Sequence, residues 1–337
     1  MSDYLISARK YRPKSFNEVV GQEVITSTLE NAVKNKQLSQ ALLFTGPRGV
    51  GKTSCARILA KMINADKITS ESDYSFNIFE LDAASNNGVD GIRNLTDQIR
   101  IPPQIGNFKV YIIDEVHMLS SSAFNAFLKT LEEPPRHCVF ILATTEKHKI
   151  IPTILSRCQI YDFKRISVDD ISSYLINISK HEKVKYEENA IQFIAKKADG
   201  SMRDALQIYD RILSSKNNEV SIANVMESLN ILDNQVYFDL LHLIINNEIP
   251  KLLVLTNSIL ARGIQGDILI SGLGSFFRDL LVSKDSKSIA LFDSDEETKL
   301  QFKKASSKID MDYLIECIEI TNNFDINYSK SINQNLL

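Results

Sequence analysis

The chain has 337 residues, too many for one ordinary domain and suited to two or three. With 44% hydrophobic and 24% charged residues it has ample apolar material for a core, which excludes disorder as its main state. A formal net charge of −3 excludes a uniformly basic nucleic-acid binder while leaving room for a local basic face.

Residues 1–64 hold ten Lys or Arg against four Asp or Glu, and this basic excess surrounds the first motif. An apolar strand, Leu42–Thr45, runs into Gly46-Pro47-Arg48-Gly49-Val50-Gly51-Lys52-Thr53, and a helix is expected over Ser54–Ile63. This is the G-x-x-x-x-G-K-[ST] pattern in its strand–loop–helix context. The glycines allow backbone N–H groups to turn inward on phosphates, Lys52 reaches the β/γ-phosphates, and Thr53 holds Mg²⁺. A second strand is expected at Ile78–Leu81. Ser85–Arg93 then reads as a turn into a helix, with Arg93 about one turn in, where it either meets a phosphate or pairs with Asp90. A third strand, Val110–Ile113, ends in Asp114 and Glu115. A carboxylate beside a phosphate loop suits Mg²⁺, so Asp114 takes that role, and Glu115 orients or deprotonates the attacking water.

A helix over Ala123–Leu131 stops at Pro134-Pro135. The strand Val139–Ala143 ends at Thr144, whose hydroxyl is placed to contact the γ-phosphate or the water. Arg157 stands between a helix-like run and a last strand, Gln159–Phe163; on its own it reads as a surface ion-pair residue. All five strands are near-continuously apolar, the pattern of strands covered on both faces in a parallel sheet. From Asp169 onward the period is helical. Gly200 stops one helix and Ser201 caps the next, near whose start lies Arg203. Ser/Lys/Asp-rich 283–289 and the acidic Asp293, Asp295, Glu296 and Glu297 read as loops and solvated surface. The expected domains are an α/β ATPase domain at 1–164, a small helical domain at 165–225 and a second helical domain at 226–337. The four cysteines are dispersed with no CxxC pair, and neither a signal-peptide core nor an apolar run of membrane-spanning length occurs. A cytoplasmic chain is therefore expected, with no disulfide framework, no zinc cluster and no membrane association.

The ordered segments ARKYRP (8–13), VVGQ (19–22), GPRGVGKT (46–53), YIIDEVHMLS (111–120), FNAFLKTLEEPP (124–135), LATTE (142–146), ILSRC (154–158) and GSMRDAL (200–206) resemble the clamp-loader γ/τ subunit family of bacterial DNA polymerase III. The resemblance is specific up to about residue 213 and looser beyond, resuming at Asn327–Ser331. It implies an AAA+ ATPase with a RecA-like parallel sheet flanked by helices, a three-helix lid and a helical collar. It implies ATP and Mg²⁺ as cofactors. The implied partners are the delta and delta-prime subunits, further copies of the chain, the sliding clamp, and primer–template DNA held by its phosphates. By resemblance Arg12, Val20 and Gly21 border the adenine, and Arg48, Val50 and Ser54 complete the phosphate loop. Thr144 matches sensor 1, Arg157 the arginine finger acting on a neighbour's ATP, and Arg203 sensor 2, while Arg93 matches a basic DNA-facing position. His117 completes a DExH box without a distinct role. The family's four zinc-binding cysteines have no counterpart in Asn64–Asn77, so no zinc is expected. The chain ends soon after the last matching segment, so the final collar helix is expected to be incomplete and the long τ tail missing. Two other readings are a different AAA+ DNA-remodelling ATPase and a non-hydrolysing clamp-loader scaffold subunit.

Overall fold

The computed structural model describes residues 7–68, 73–215, 219–229, 232–285, 288–291, 296–328 and 330–331, in two compact units, 1–225 and 226–337. In the first unit, strands β1 (Ala41–Thr45), β2 (Ile78–Asp82), β3 (Lys109–Asp114), β4 (Cys138–Thr144) and β5 (Gln159–Asp162) form one sheet in the order β2-β3-β4-β1-β5. Every pairing is parallel; Leu43 lies opposite Leu142 and Ile160. Helices α1 (Ser7–Lys10), α2 (Glu23–Lys34), α3 (Lys52–Asn64), α4 (Val89–Ile99), α5 (Ser121–Glu132) and α6 (Pro152–Leu155) surround or flank it.

Two cores explain the continuous apolar strands. Leu43, Tyr111, Ile113 and Phe140 face one side and pack with Ile92 and Ile99 of α4 and Phe127 of α5. Their neighbours Leu42, Phe44, Ile112 and Ile141 face the other side and pack with Leu29 of α2 and Cys55 and Leu59 of α3. The outer strand β5 departs from the buried run expected at Gln159–Phe163. It has a single strand neighbour, and only Tyr161 within it is buried.

The chain continues through α7 (Val168–Glu182), α8 (Glu188–Lys197) and α9 (Met202–Ser215), with two-residue strands β6 (Lys185–Tyr186) and β7 (Glu219–Val220) paired in parallel beside them. Strands this short carry no sequence period. Ser167 Oγ caps α7 by accepting Asp170 N at 3.1 Å, and Ser201 Oγ caps α9 by accepting Asp204 N at 3.2 Å. α10 (Ile222–Ser228) crosses the boundary between the units. The second unit is helical: α11 (Asn234–Ile245), α12 (Ile249–Ala261), α13 (Gly266–Val282), α14 (Glu296–Ser306) and α15 (Met311–Tyr328). Its core centres on Phe238, Phe276 and Phe302, with ring centroids 5.0–5.2 Å apart at steep angles. Glu296 and Glu297 open α14, where carboxylates favour a helix start; Asp293 and Asp295 lie outside the described residues. Among the described residues no helix is long and apolar enough to cross a membrane.

Two buried asparagines pin the turn that delivers β3. Asn64 Oδ1 accepts Asn107 N at 3.1 Å and Phe108 N at 3.0 Å, and its Nδ2 donates to Phe108 O at 3.0 Å. Asn77 Nδ2 donates to Ile105 O at 2.7 Å and Phe108 O at 2.9 Å. The cysteine-free segment 64–77 is thus closed at both ends onto 105–108 by side-chain amides. Asn64→Ala strips two backbone N–H groups of their acceptor and is expected to cost about 3 kcal/mol of stability, read as a lower urea midpoint at unchanged slope.

Candidate active site

The loop Gly46–Gly51 leaves the end of β1 and α3 begins at Lys52, so the first N–H groups of a 13-residue helix face the loop's interior. Gly49 and Gly51 take left-handed φ values of 76° and 103°. At Gly49 the requirement is double, because a Cβ there would collide with Ser201 at the start of the α9 turn. Arg203 N also reaches Gly49 O at 3.4 Å, so α9 rests directly on the loop.

A cavity of about 460 Å³ opens over this loop. Its walls carry Arg9, Arg12, Arg48, Lys52 and Arg203 against Glu18, Asp114 and Glu115, a cationic excess suited to a polyphosphate. Lys52 is buried, and its ammonium donates to Gly46 O at 2.7 Å and Pro47 O at 2.6 Å. Burial pulls its pKa down, opposed by Glu115 and then Asp114. Burial likewise lowers the pKa of Arg12, with Arg57 adding repulsion, and Arg12 Nε reaches Ser54 Oγ at 3.2 Å. Thr53 Oγ1 donates to Asp114 Oδ2 at 2.7 Å, bringing two hard oxygen ligands to one point. These two oxygens fit Mg²⁺, and the five cations fit a bound nucleotide triphosphate. The lining also includes the apolar Val20, Ile166, Met202 and Leu206, beside Tyr174 and Gln207, which suit a flat heterocycle.

Glu115 follows β3 with a left-handed backbone, φ 47° and ψ 46°. Its Oε2 accepts Thr145 N at 3.2 Å and Thr145 Oγ1 at 3.0 Å, with His117 Nδ1 3.3 Å away. Thr144, named from the sequence for this neighbourhood, is fully buried; its hydroxyl meets His117 Nδ1 and Glu146 N, each at 3.0 Å. The hydroxyl on Glu115 is therefore that of Thr145, one residue on. Val20, Arg48, Val50, Ser54 and Arg203 line the cavity with Lys52 and Thr53, whereas Gly46 and Pro47 act from behind by holding Lys52. Gly21 lies outside the lining and packs beside Ile166. Arg157 is also outside it, held by Glu132 Oε1 and Thr153 O, each at 2.7 Å. Arg93 belongs to α4 by its backbone, and its side chain and that of Asp90 lie outside the described residues.

Sequence reasoning missed a segment that joins the helices after β5 to the loop. Ser7 N donates to Asp210 Oδ2 at 2.6 Å, Lys10 and Tyr11 both bond Glu182, and Tyr174 Oη donates to Tyr11 O at 3.1 Å. Residues 7–12 thus run from α7 and α9 to Ser54, along one wall of the cavity. The basic RKYR run was its one sequence signal, and charge alone does not reveal where such a run docks.

Comparison with known proteins follows the same lines. Residues 21–167 match the family model for the DNA polymerase III delta subunit, and residues 170–215 that for the ATPase lid domain of the DNA polymerase III clamp-loader subunit. The chain is 40% identical over 327 residues to DNA polymerase III subunit tau of Bacillus subtilis, covering 93% of this chain and 58% of that one. It is 37% identical over 300 residues to subunit gamma of Buchnera aphidicola from Schizaphis graminum, covering 85% and 83%. The chain thus spans about half the length of the tau proteins it matches, 46% of that of Escherichia coli. Among solved structures, the Holliday junction branch migration motor RuvB of Thermotoga maritima aligns with TM-score 0.52 and 22% identity over 77% of this chain and 87% of that one. That likeness is one of fold alone.

Proposed function

The chain belongs to the gamma/tau family of DNA polymerase III clamp-loader subunits, and from that premise we propose that it is an ATP-hydrolysing motor subunit of a clamp loader. It binds ATP and Mg²⁺, joins other clamp-loader subunits, opens the sliding clamp and sets it on primer–template DNA. The observation that carries this reading is the convergence of Lys52, the Thr53–Asp114 pair and Glu115 on one cationic cavity. Thr53 and Asp114 would hold Mg²⁺, which would supply charge neutralisation to the phosphates. Lys52 and the loop N–H groups hold the phosphates, and Arg203 joins them from α9. Glu115 takes the proton of the attacking water. A non-hydrolysing scaffold has no use for Glu115 fixed beside Lys52.

The test is ATP turnover by the chain assembled with delta and delta-prime subunits. Clamp plus primer–template should raise it severalfold, and a four-way junction should not. Stimulation by the junction alone defeats the clamp-loader reading. Absence of turnover in every combination defeats the motor reading. DNA is held through phosphates at the start of α4, so Arg93→Glu is expected to weaken the DNA response while leaving the DNA-free rate nearly unchanged. The parent response should also fall steeply with salt. An unaltered DNA response in Arg93→Glu at physiological salt removes that contact from the reading.

A further inference from the structure

We propose that His117 is the positioning residue that aims Glu115 at the attacking water, through a bridge anchored on Glu146 and Lys149. The inference rests on the reading of Glu115 as the water-activating base. The His117 side chain is only 6% exposed and spans two carboxylates. Nδ1 lies 3.3 Å from Glu115 Oε2 and 3.0 Å from Thr144 Oγ1, and Nε2 lies 3.1 Å from Glu146 Oε2. Glu146 is itself fixed twice. Lys149 Nζ donates to its Oε2 at 2.7 Å, and its backbone N donates to Thr144 Oγ1 at 3.0 Å. The ring is therefore held at Nδ1 by Thr144, with a carboxylate oxygen beside each of its nitrogens.

The consequence for Glu115 lies in the asymmetry of its carboxylate. Thr145 N and Thr145 Oγ1 both donate to Oε2, and His117 Nδ1, hydrogen-bonded to Thr144 Oγ1, lies against the same oxygen at 3.3 Å. Among the described residues no donor meets Oε1, and Glu115 lines the cavity beside Lys52. Bonding one oxygen twice and packing the ring against it leaves the other as the proton acceptor in a fixed place. A general base must stand within hydrogen-bond reach of its water, and small misplacements are expensive in rate. Thr145 supplies both hydrogen bonds from β4's end. His117 closes off the same oxygen from the chain segment that carries Glu115 itself, so strand and turn confine the carboxylate from both sides.

The two carboxamide replacements separate the functions of the two ring nitrogens. In His117→Asn the side-chain N–H stands near the Nδ1 position and faces Glu115. In His117→Gln it stands near the Nε2 position and faces Glu146. Turnover, ATP affinity and melting temperature are measured on the full chain assembled with its partner subunits. His117→Asn should keep most of the parent kcat, and His117→Gln should lose roughly tenfold or more, with ATP affinity within about twofold of the parent in both. In a Glu115→Gln background, His117→Gln should add no further loss, because it acts through the carboxylate already removed. Equal rates for the Asn and Gln variants, a loss carried by ATP affinity, or an undiminished further loss in the double variant each overturn the assignment. Should Glu115→Gln alone turn over like the parent, the base assignment fails and takes this one with it. An inactive Glu115→Gln beside a parent-like His117→Gln removes only the role of His117.

Discussion

Lys52→Ala should abolish ATP binding at nucleotide concentrations that saturate the parent. Lys52 is 6% exposed, and two of its ammonium's three N–H donors go to the carbonyls of Gly46 and Pro47. Those carbonyls fix the direction of the third, toward the cavity that the loop encloses. Truncation removes the most buried cation from a wall that also holds Asp114 and Glu115, leaving two carboxylates beside the incoming phosphates with less to offset them. A charge-assisted hydrogen bond in such a site is worth roughly 1.5–3 kcal/mol, and the lost compensation of like charge adds to it. An affinity loss of 100-fold or more is the expected scale. Titration with a fluorescent ATP analogue measures it, and thermal unfolding without nucleotide should show a fold that still melts cooperatively. Since burial lowers the Lys52 pKa, the parent should also lose ATP affinity at a lower pH than an exposed lysine allows: the binding form is the ammonium, present below the depressed pKa and lost as pH rises through it. Affinity flat to strongly alkaline pH, or a Lys52→Ala variant that binds normally, contradicts this account of the loop.

What was legible in the sequence was what local pattern and covalent spacing control. The strands β1, β3 and β4 stand out because both faces of each are covered, so no polar residue interrupts Leu42–Phe44, Val110–Ile113 or Val139–Ala143. The phosphate loop is legible because left-handed glycines and a following helix demand specific residues at specific positions. Ser201 is legible as a cap because its role is completed three residues away, at Asp204 N. The rest depends on distant approach. The apolar wall of the cavity comes from Ile166, Met202 and Leu206, far along the chain from the loop, and nothing in their own segments distinguishes them from ordinary helix-packing residues. Which hydroxyl meets Glu115 turns on strand parity. Successive side chains leave a strand in opposite directions, and a one-residue difference in where β4 ends decides which hydroxyl meets Glu115. The docking of residues 7–12 onto Glu182 and Asp210 joins positions more than 170 residues apart, with no periodicity to announce it.

On the proposal that Arg157 acts in trans as an arginine finger, Arg157→Ala should leave ATP binding by its own subunit intact and suppress hydrolysis at a neighbouring subunit's site. Arg157 takes no part in the cavity of its own chain. Its side chain is 33% exposed, and its guanidinium is held at the surface by Glu132 Oε1 and Thr153 O, each at 2.7 Å. An exposed ion pair of this kind is worth no more than about 1 kcal/mol, so Glu132 does not compete seriously with a triphosphate. A guanidinium delivered in trans to the transferring phosphoryl group is worth about 10³–10⁵ in rate, or about 4–7 kcal/mol of transition-state stabilisation. The ground state gains far less, because the charge it neutralises develops only as the bond to the leaving oxygen lengthens. The loss therefore belongs in kcat, with ATP affinity nearly unchanged. Mixed complexes decide the direction of action: one subunit carries Arg157→Ala with an intact phosphate loop, and its neighbour carries the parent Arg157 with Lys52→Ala. The one competent ATP site then lies on the Arg157→Ala subunit and receives the parent guanidinium of its neighbour, so turnover should survive. Placing both substitutions on one subunit instead leaves the parent's site facing the missing guanidinium, and turnover there should collapse. The reverse pattern, loss in the first mixture and survival in the second, would place the guanidinium in cis, and the exposed position beside Glu132 would then have no catalytic meaning.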